Sequence, residues 1–232
     1  MIDRRTFLLS TAATLLAGSW MPARAQQQEV IQGVIEDWSG VMLGARGVPP
    51  PWQKYETLGG HAAYDFTVVS DEGRRALDMK AAGDHSTIAR DVHIDLAASP
   101  VLAWQWKGVS LPQGADLRDR ATSDASGFPI VAWPRFPAFL RSRLIGYVWD
   151  PALPVGTIVP SRKVSTVTFV VVASGLAGLG QWALQTRDVE EDYRTIYGEA
   201  PPSPQAIALS IDTNDTRSTA ETLFGRIAFI PR

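Results

Sequence analysis

Asp212-Thr213-Asn214-Asp215-Thr216 places hydroxyl and carboxylate groups around an amide at the end of an apolar run. Calcium takes about six to eight hard oxygens, and a loop of this kind supplies them, so Asp212, Asn214 and Asp215 are candidate metal ligands for Ca2+. The same residues also suit an Asx turn, in which Asp212 and Asn214 bond their own backbone. Arg187, Asp188 and Asp192 form a second cluster. A guanidinium can hold a carboxylate in a two-pronged pair, which would serve as a polar anchor for a sugar or acidic ligand, or as an ion pair pinning a helix to a sheet. Trp104 and Trp106 stand two apart, as do Tyr147 and Trp149, so each pair shares one face of a strand. Aligned rings form a platform for the CH-rich faces of sugars or fill a core. With Asp124, these residues are the ligand-binding candidates.

Hydrolysis of a glycosidic bond needs two carboxylates about 5–9.5 Å apart. Asp124, Asp188, Asp192, Asp212 and Asp215 are the acids available for such a pair. A Ser-His-Asp site needs one poised histidine. His61 follows Gly59-Gly60 in a turn, His85 falls in a loop and His93 on a solvent-facing strand edge. No G-x-S-x-G elbow accompanies them. The absence of cysteine excludes thiolate metal sites, disulfides and cysteine nucleophiles. The whole-chain charge of −2 and the lack of a basic run argue against a nucleic-acid partner.

Short strands must position these groups. Period-2 alternation bounded by Gly, Pro, Asn and Asp marks strands at 62–69, 76–81, 88–96, 101–107, 144–149, 164–173, 181–186, 206–211 and 223–230. The run 166–172 is nearly all apolar at its end, which predicts a central strand covered on both faces. Asp188-Val189-Glu190-Glu191 is a capping box that opens one short helix near 188–197, closed by Gly198. Gly175 to Gly180 reads as a flexible hairpin between two strands. Trp133, between Pro129 and Pro134, is expected near the surface because its segment interrupts regular pairing. Many strands and one helix predict an all-β fold, a two-sheet antiparallel β-sandwich or jelly roll.

The N-terminus carries a different signal. Asp3-Arg4-Arg5-Thr6-Phe7-Leu8, an apolar run of roughly 10–12 residues and Ala23-Arg24-Ala25 read as a removable export leader with a twin-arginine head. The run is too short to span a membrane, which takes about 20 residues. Residues 1–25 are therefore expected to be cleaved, leaving 26–232 as a single sandwich domain with a charge of −4, periplasmic or secreted.

Further landmarks follow in order: Trp104-Gln105-Trp106, Pro112-x-Gly114-Ala115-Asp116, Tyr147-Val148-Trp149, Gly175, Trp182, Arg187-Asp188-Val189, Asp192-Tyr193, Tyr197-Gly198, Pro201-Pro202, Asp212 to Thr216 and Gly225-x-Ile227. This set resembles the bacterial family called domain of unknown function 3047. Ser123 and Phe128 depart from that family's usual acid and arginine, Asp188 replaces a common Asn, and Arg226 a common Asp. The resemblance implies a β-sandwich similar to galactose-binding and carbohydrate-binding modules, and the family has no established activity to carry over. Together these readings favour a non-catalytic binding module for a glycan, cell-envelope component or similar polar ligand. The alternatives are a saccharide-active enzyme using paired aspartates and a structural subunit of an envelope complex.

Overall fold

The computed structural model describes residues 33–55 and 62–232. The leader and His61 lie outside the described residues. In chain order the elements are β1 (Gly33–Glu36), β2 (Gln53–Lys54), β3 (Asp65–Asp71), β4 (Arg74–Ala82), β5 (His85–Asp91), β6 (Val101–Ser110), β7 (Ala125–Trp133), α1 (Ala138–Arg141), β8 (Arg143–Asp150), β9 (Ile158–Pro160), β10 (Val167–Ser174), β11 (Ala183–Asp188), α2 (Val189–Tyr197), β12 (Ala206–Asp212) and β13 (Thr219–Ile230).

The strands build two sheets. One has six strands in the order β11-β6-β13-β4-β3, with β1 beside β13; the other has seven, β2-β5-β12-β7-β8-β10-β9. Alternation sends Leu77, Met79, Trp104, Trp106 and Phe224 of the first sheet toward Ile88, Val131, Tyr147, Trp149 and Leu209 of the second, and these residues share one core. The expected two-sheet sandwich is what the chain forms. Its ladders are antiparallel with one exception among the described residues. β10 runs parallel to β8, from Val167 opposite Leu144 to Ser174 opposite Asp150. Residues 151–166 make the crossover that a parallel neighbour requires, laying β9 along the sheet edge on the way.

The outer face of the seven-stranded sheet carries a second apolar cluster. Phe128, Ile130, Val148, Phe169 and Val171 lie there under Leu117 and Leu153. This explains the apolar run in β10. Val170 and Val172 face the main core while Phe169 and Val171 face the second, so the strand is covered on both sides, as its composition predicts.

The helix also forms as expected. The Asp188 carboxylate accepts the Glu191 N–H at 3.0 Å, and Gly198 closes α2 at φ 72° with its N–H on the Arg194 carbonyl at 2.8 Å. Three local readings are corrected. Trp133 is 1 % exposed, not near the surface. β7 is a central strand, and its ladder with β8 begins only at Ile130, so Pro129 falls where that edge needs no donor. The Trp133 indole then donates to the Pro202 carbonyl at 2.8 Å and packs on Tyr193, ring centres 4.7 Å apart. Gly175 to Gly180 is not a hairpin, because it carries the chain from β10 in one sheet to β11 in the other. His85 is not in a loop, because it opens β5 opposite Asp212.

The two sheets approach closely at Gly127. A Cβ there would lie 2.7 Å from Thr222 Cβ and 2.9 Å from Phe224 Cε2. Gly127→Ala should therefore destabilise the fold by about 1–3 kcal/mol, read as a lower urea midpoint with an unchanged slope. A wild-type midpoint would show that the sheets separate freely at this point.

Candidate functional site

The aromatic candidates form the core, not a platform. Trp104, Trp106, Tyr147 and Trp149 are all buried. β6 and β8 belong to opposite sheets, so the two pairs meet face to face across the sandwich. Ring centres lie 5.6 Å apart for Trp104 and Tyr147 and 5.5 Å for Trp106 and Trp149. The Trp149 indole donates to the Gly175 carbonyl at 2.9 Å. Burial pushes the Tyr147 hydroxyl far up, and the Asp192 carboxylate beside it adds to that. None of these rings is presented to a ligand.

Arg187, Asp188 and Asp192 join α2 to its surroundings. Arg187 holds the buried Asp192 with both prongs, Nε to Oδ2 at 3.0 Å and Nη2 to Oδ1. The Asp188 carboxylate, besides capping α2, accepts Arg232 Nε at 2.6 Å. Burial pulls Asp188 upward, but Arg232 and the helix N–H groups outweigh it and leave the carboxyl below its ordinary range.

The loop after β12 gathers Asp124, Asp212, Asn214 and Asp215 on the outer side of the seven-stranded sheet. Its interior is occupied by a cation that the chain itself supplies. The loop after β9 reaches back past β8 and β7 to place Lys163 Nζ against Asp215 Oδ2, 3.5 Å from Asp212 Oδ2 and 3.3 Å from Asn214 Oδ1. Asp212 Oδ1 takes the Asn214 N–H at 3.2 Å, the Asx turn expected at this spacing. Both Asp124 oxygens are committed to the same loop, accepting the Asp215 N–H at 3.1 Å, the Thr216 N–H at 2.7 Å and the Thr216 hydroxyl at 2.6 Å. Among the described residues no group of three acidic, histidine or cysteine side chains is placed to hold a metal. The oxygens of Asp212, Asn214 and Asp215 surround the Lys163 ammonium. One ammonium balances one carboxylate. With Lys163 on Asp215, burial raises the Asp212 carboxyl to about 7 against the pull of that lysine. His85, bonded to Ser210 at 3.2 Å and Thr87 at 3.0 Å, is held low by burial and then by the Lys163 charge.

The sequence reading missed an open groove of about 570 Å³ where β3, β4, β6 and β13 run side by side. Strand register builds it. Asp65 lies opposite Lys80, Lys80 opposite Glu221, and Glu221 opposite Ser110. Four adjacent strands thus carry carboxylate, ammonium, carboxylate and hydroxyl in one row roughly 14 Å long. Leu77 and Met79 point into the core, so Asp78 and Lys80 point outward. Lys80 Nζ lies 3.5 Å from Glu221 Oε1 and 3.2 Å from Oδ2 of Asp78, one step along β4 on the same face. Burial pushes the Asp78 carboxyl up, and the Asp78 charge raises Lys80 in turn.

Small residues line one end of the groove, Ala82 and Gly83 among them. Asp84 fixes that end. Its oxygens accept the Ala82 N–H at 2.8 Å and the Ala63 N–H at 3.0 Å. Gly83 N–H bonds Thr213 Oγ1 at 2.9 Å, and Thr213 donates to the Asp84 carbonyl at 3.1 Å. The Asp212 loop therefore braces the groove from behind. The polar alternation of β4 was visible in the sequence, but nothing local aligned it with Asp65, Ser110 and Glu221.

Asp212 gives this region a pH signature. Its folded pKa of about 7 exceeds the ordinary 3.8, so between those values the folded state holds about one extra proton. The stability this contributes is complete below about pH 4 and is lost as pH rises through 7. Asp212→Asn should be weakest relative to wild type at pH 4 and gain on it by pH 8 in urea unfolding. A difference that is flat with pH would contradict this protonation.

Solved structures with a similar course include a family 11 carbohydrate-binding module from Clostridium thermocellum in complex with a β-1,3-1,4-mixed-linked tetrasaccharide, at 9 % identity and a TM-score of 0.42, covering 87 % of this chain and 97 % of that one. A family 30 carbohydrate-binding module of a Clostridium thermocellum cellulosomal cellulase matches at 11 % identity and 0.41, covering 81 % and 96 %. The xyloglucanase domain of an effector from Sinorhizobium fredii in complex with cellobiose matches at 8 % and 0.40, covering 78 % and 96 %. No curated protein matches by sequence. The family model described as "Protein of unknown function (DUF3047)" matches residues 50–228, which is most of the 232, and the chain belongs to that family.

Proposed function

We propose that this protein is a non-catalytic β-sandwich binding module, and that the groove over β3, β4, β13 and β6 takes a hydroxyl-rich ligand of the glycan class. The observation that carries the reading is the cross-strand row Asp65, Lys80, Glu221 and Ser110 in an open groove. Carboxylates accept hydrogen bonds from ligand hydroxyls, while the ammonium and the serine donate to ring and hydroxyl oxygens. Pockets with a few convergent polar groups on a rigid scaffold are the usual binding sites, and each of these groups stands on a strand. The alanines and Gly83 in the lining let a flat ligand approach the backbone.

Hydrolysis fits this site less well. Asp78 and Glu221 both meet Lys80, so the ammonium stands where a scissile bond would have to lie between them. Asp188 and Asp192 are paired with arginines, and Asp124 and Asp215 are spent on loop N–H groups and Lys163. Among the described residues no helix is long and apolar enough to cross a membrane.

Titration with soluble neutral oligosaccharides tests the reading. At least one class should bind, and Lys80→Ala or Glu221→Ala should cost about tenfold or more in affinity, the scale of a hydrogen bond to a charged group. A protein that binds none of them, or whose binding ignores both substitutions, would remove it.

The Arg4-Arg5 head and the Ala23-Arg24-Ala25 site support a periplasmic or secreted location reached by twin-arginine export. Replacing both arginines by lysine should leave the uncleaved chain in the cytoplasmic fraction. Unchanged processing of that variant would point to the general secretory route.

A further inference from the structure

We infer that the turn between β7 and β8 docks on an anionic lipid bilayer, its apolar tip entering the headgroup region and its arginines meeting the lipid phosphates. This face is separate from the groove and does not rest on the glycan reading. Residues 134–142 leave the seven-stranded sheet after Trp133, and the chain returns to it at Arg143. Hydrogen bonds close the turn. The Arg135 N–H donates to Ser142 Oγ at 3.2 Å, and the Leu140 N–H donates to the Pro137 carbonyl at 3.1 Å. Two large apolar side chains stand out from it, Phe136 at 90 % exposed and Leu140 at 64 %. Water-facing side chains of this size forgo the gain of burial, so an apolar phase that receives them is favoured.

Charge supplies the second observation. From residue 125 to residue 149 the sequence holds Arg135, Arg141 and Arg143 and no acid, in a chain of net charge −2. Arg141 is exposed and makes no ion pair among the described residues; its Nη1 approaches the Phe136 carbonyl at 3.5 Å. Arg135 and Arg143 share one carboxylate, that of Glu199. Three guanidiniums against one carboxylate leave the turn with two positive charges. Asp91, at the same end of the sheet, stands two strands away from β7, beyond Ala206.

The size of the tip decides between lipid and protein. A stable protein interface buries about 800 Å² on each side, more than two side chains on a turn present. A bilayer needs only such a pair. Apolar groups settle at the boundary of headgroups and acyl chains, and each arginine nearby adds attraction to anionic lipid.

The test is co-sedimentation with vesicles. The chain 26–232 is used, because the apolar run before it would bind lipid by itself and all the described elements lie within it. Vesicles of phosphatidylcholine with about 30 % phosphatidylglycerol should bind about tenfold more tightly than phosphatidylcholine alone. Phe136→Ser with Leu140→Ser should weaken binding to the anionic vesicles about tenfold or more. Phe136→Trp, which keeps an apolar ring, should retain it. Arg141→Glu takes the turn from two positive charges to none and should erase the preference for anionic lipid. Raising salt to about 0.5 M should weaken attachment, as screening shortens the reach of exposed charges.

Failure to bind the anionic vesicles would overturn the inference, and so would binding that ignores lipid charge or the tip substitutions. Self-association that the Phe136 and Leu140 substitutions abolish, without vesicle binding, would assign the turn to a second copy of this chain instead.

Discussion

The fold depends on four rings that meet between the sheets. Trp104 and Trp106 come from β6, Tyr147 and Trp149 from β8, and each pair has the spacing that puts both rings on one strand face. Stacked rings bury large areas and favour defined offset geometries, so this contact fixes how the two sheets face each other. Phe224 joins Trp106 from the neighbouring β13, ring centres 6.5 Å apart, and Gly127 lets β7 close on Thr222. With no cysteine in the chain, packing of this kind has no covalent substitute.

Placing the rings inside has a consequence for recognition. A sandwich can display aromatics to a ligand or spend them on its core, and here the tryptophans of β6 and β8 are spent. In the proposed reading, recognition falls to polar side chains on the outer face of the six-stranded sheet. Asp65, Lys80 and Glu221 meet there because β3, β4 and β13 pair in register, Ser110 joins them across a bulge in the β6–β13 ladder, and strands hold such groups more rigidly than a loop would. Charge alternates along the row, so it is cohesive without a ligand, while the excess of carboxylates leaves it acidic.

The acidic loops serve this arrangement from behind. Asp124 gathers the backbone of residues 215 and 216, Lys163 balances Asp215, and Thr213 ties the loop to Gly83 and Asp84 at the end of the groove. An internal ammonium does here what a bound cation does in other oxygen-rich loops. Asp212, left without a full counter-charge, carries a proton near neutral pH. On the other flank, Arg187 on Asp192 and Asp188 on Arg232 tie α2 to β11 and to the C-terminus.

Local signals in the chain determined the element types. Period-2 alternation marked β3, β4, β6, β8, β10, β11, β12 and β13, and Asp188 with Gly198 bounded α2, because side-chain periodicity and caps act over a few residues. β7 was not legible: all its residues are buried and Pro129 sits within it, so it shows neither alternation nor a clean boundary. The inward direction of the tryptophans, the lysine among the aspartates and the polar row were decided only by tertiary structure. Residues 65, 80, 110 and 221 become neighbours through ladders between strands distant in sequence, and Lys163 reaches Asp215 across two strands. Sequence patterning sets which face of a strand is apolar. Which strands lie side by side, and in what register, depends on how the whole core packs.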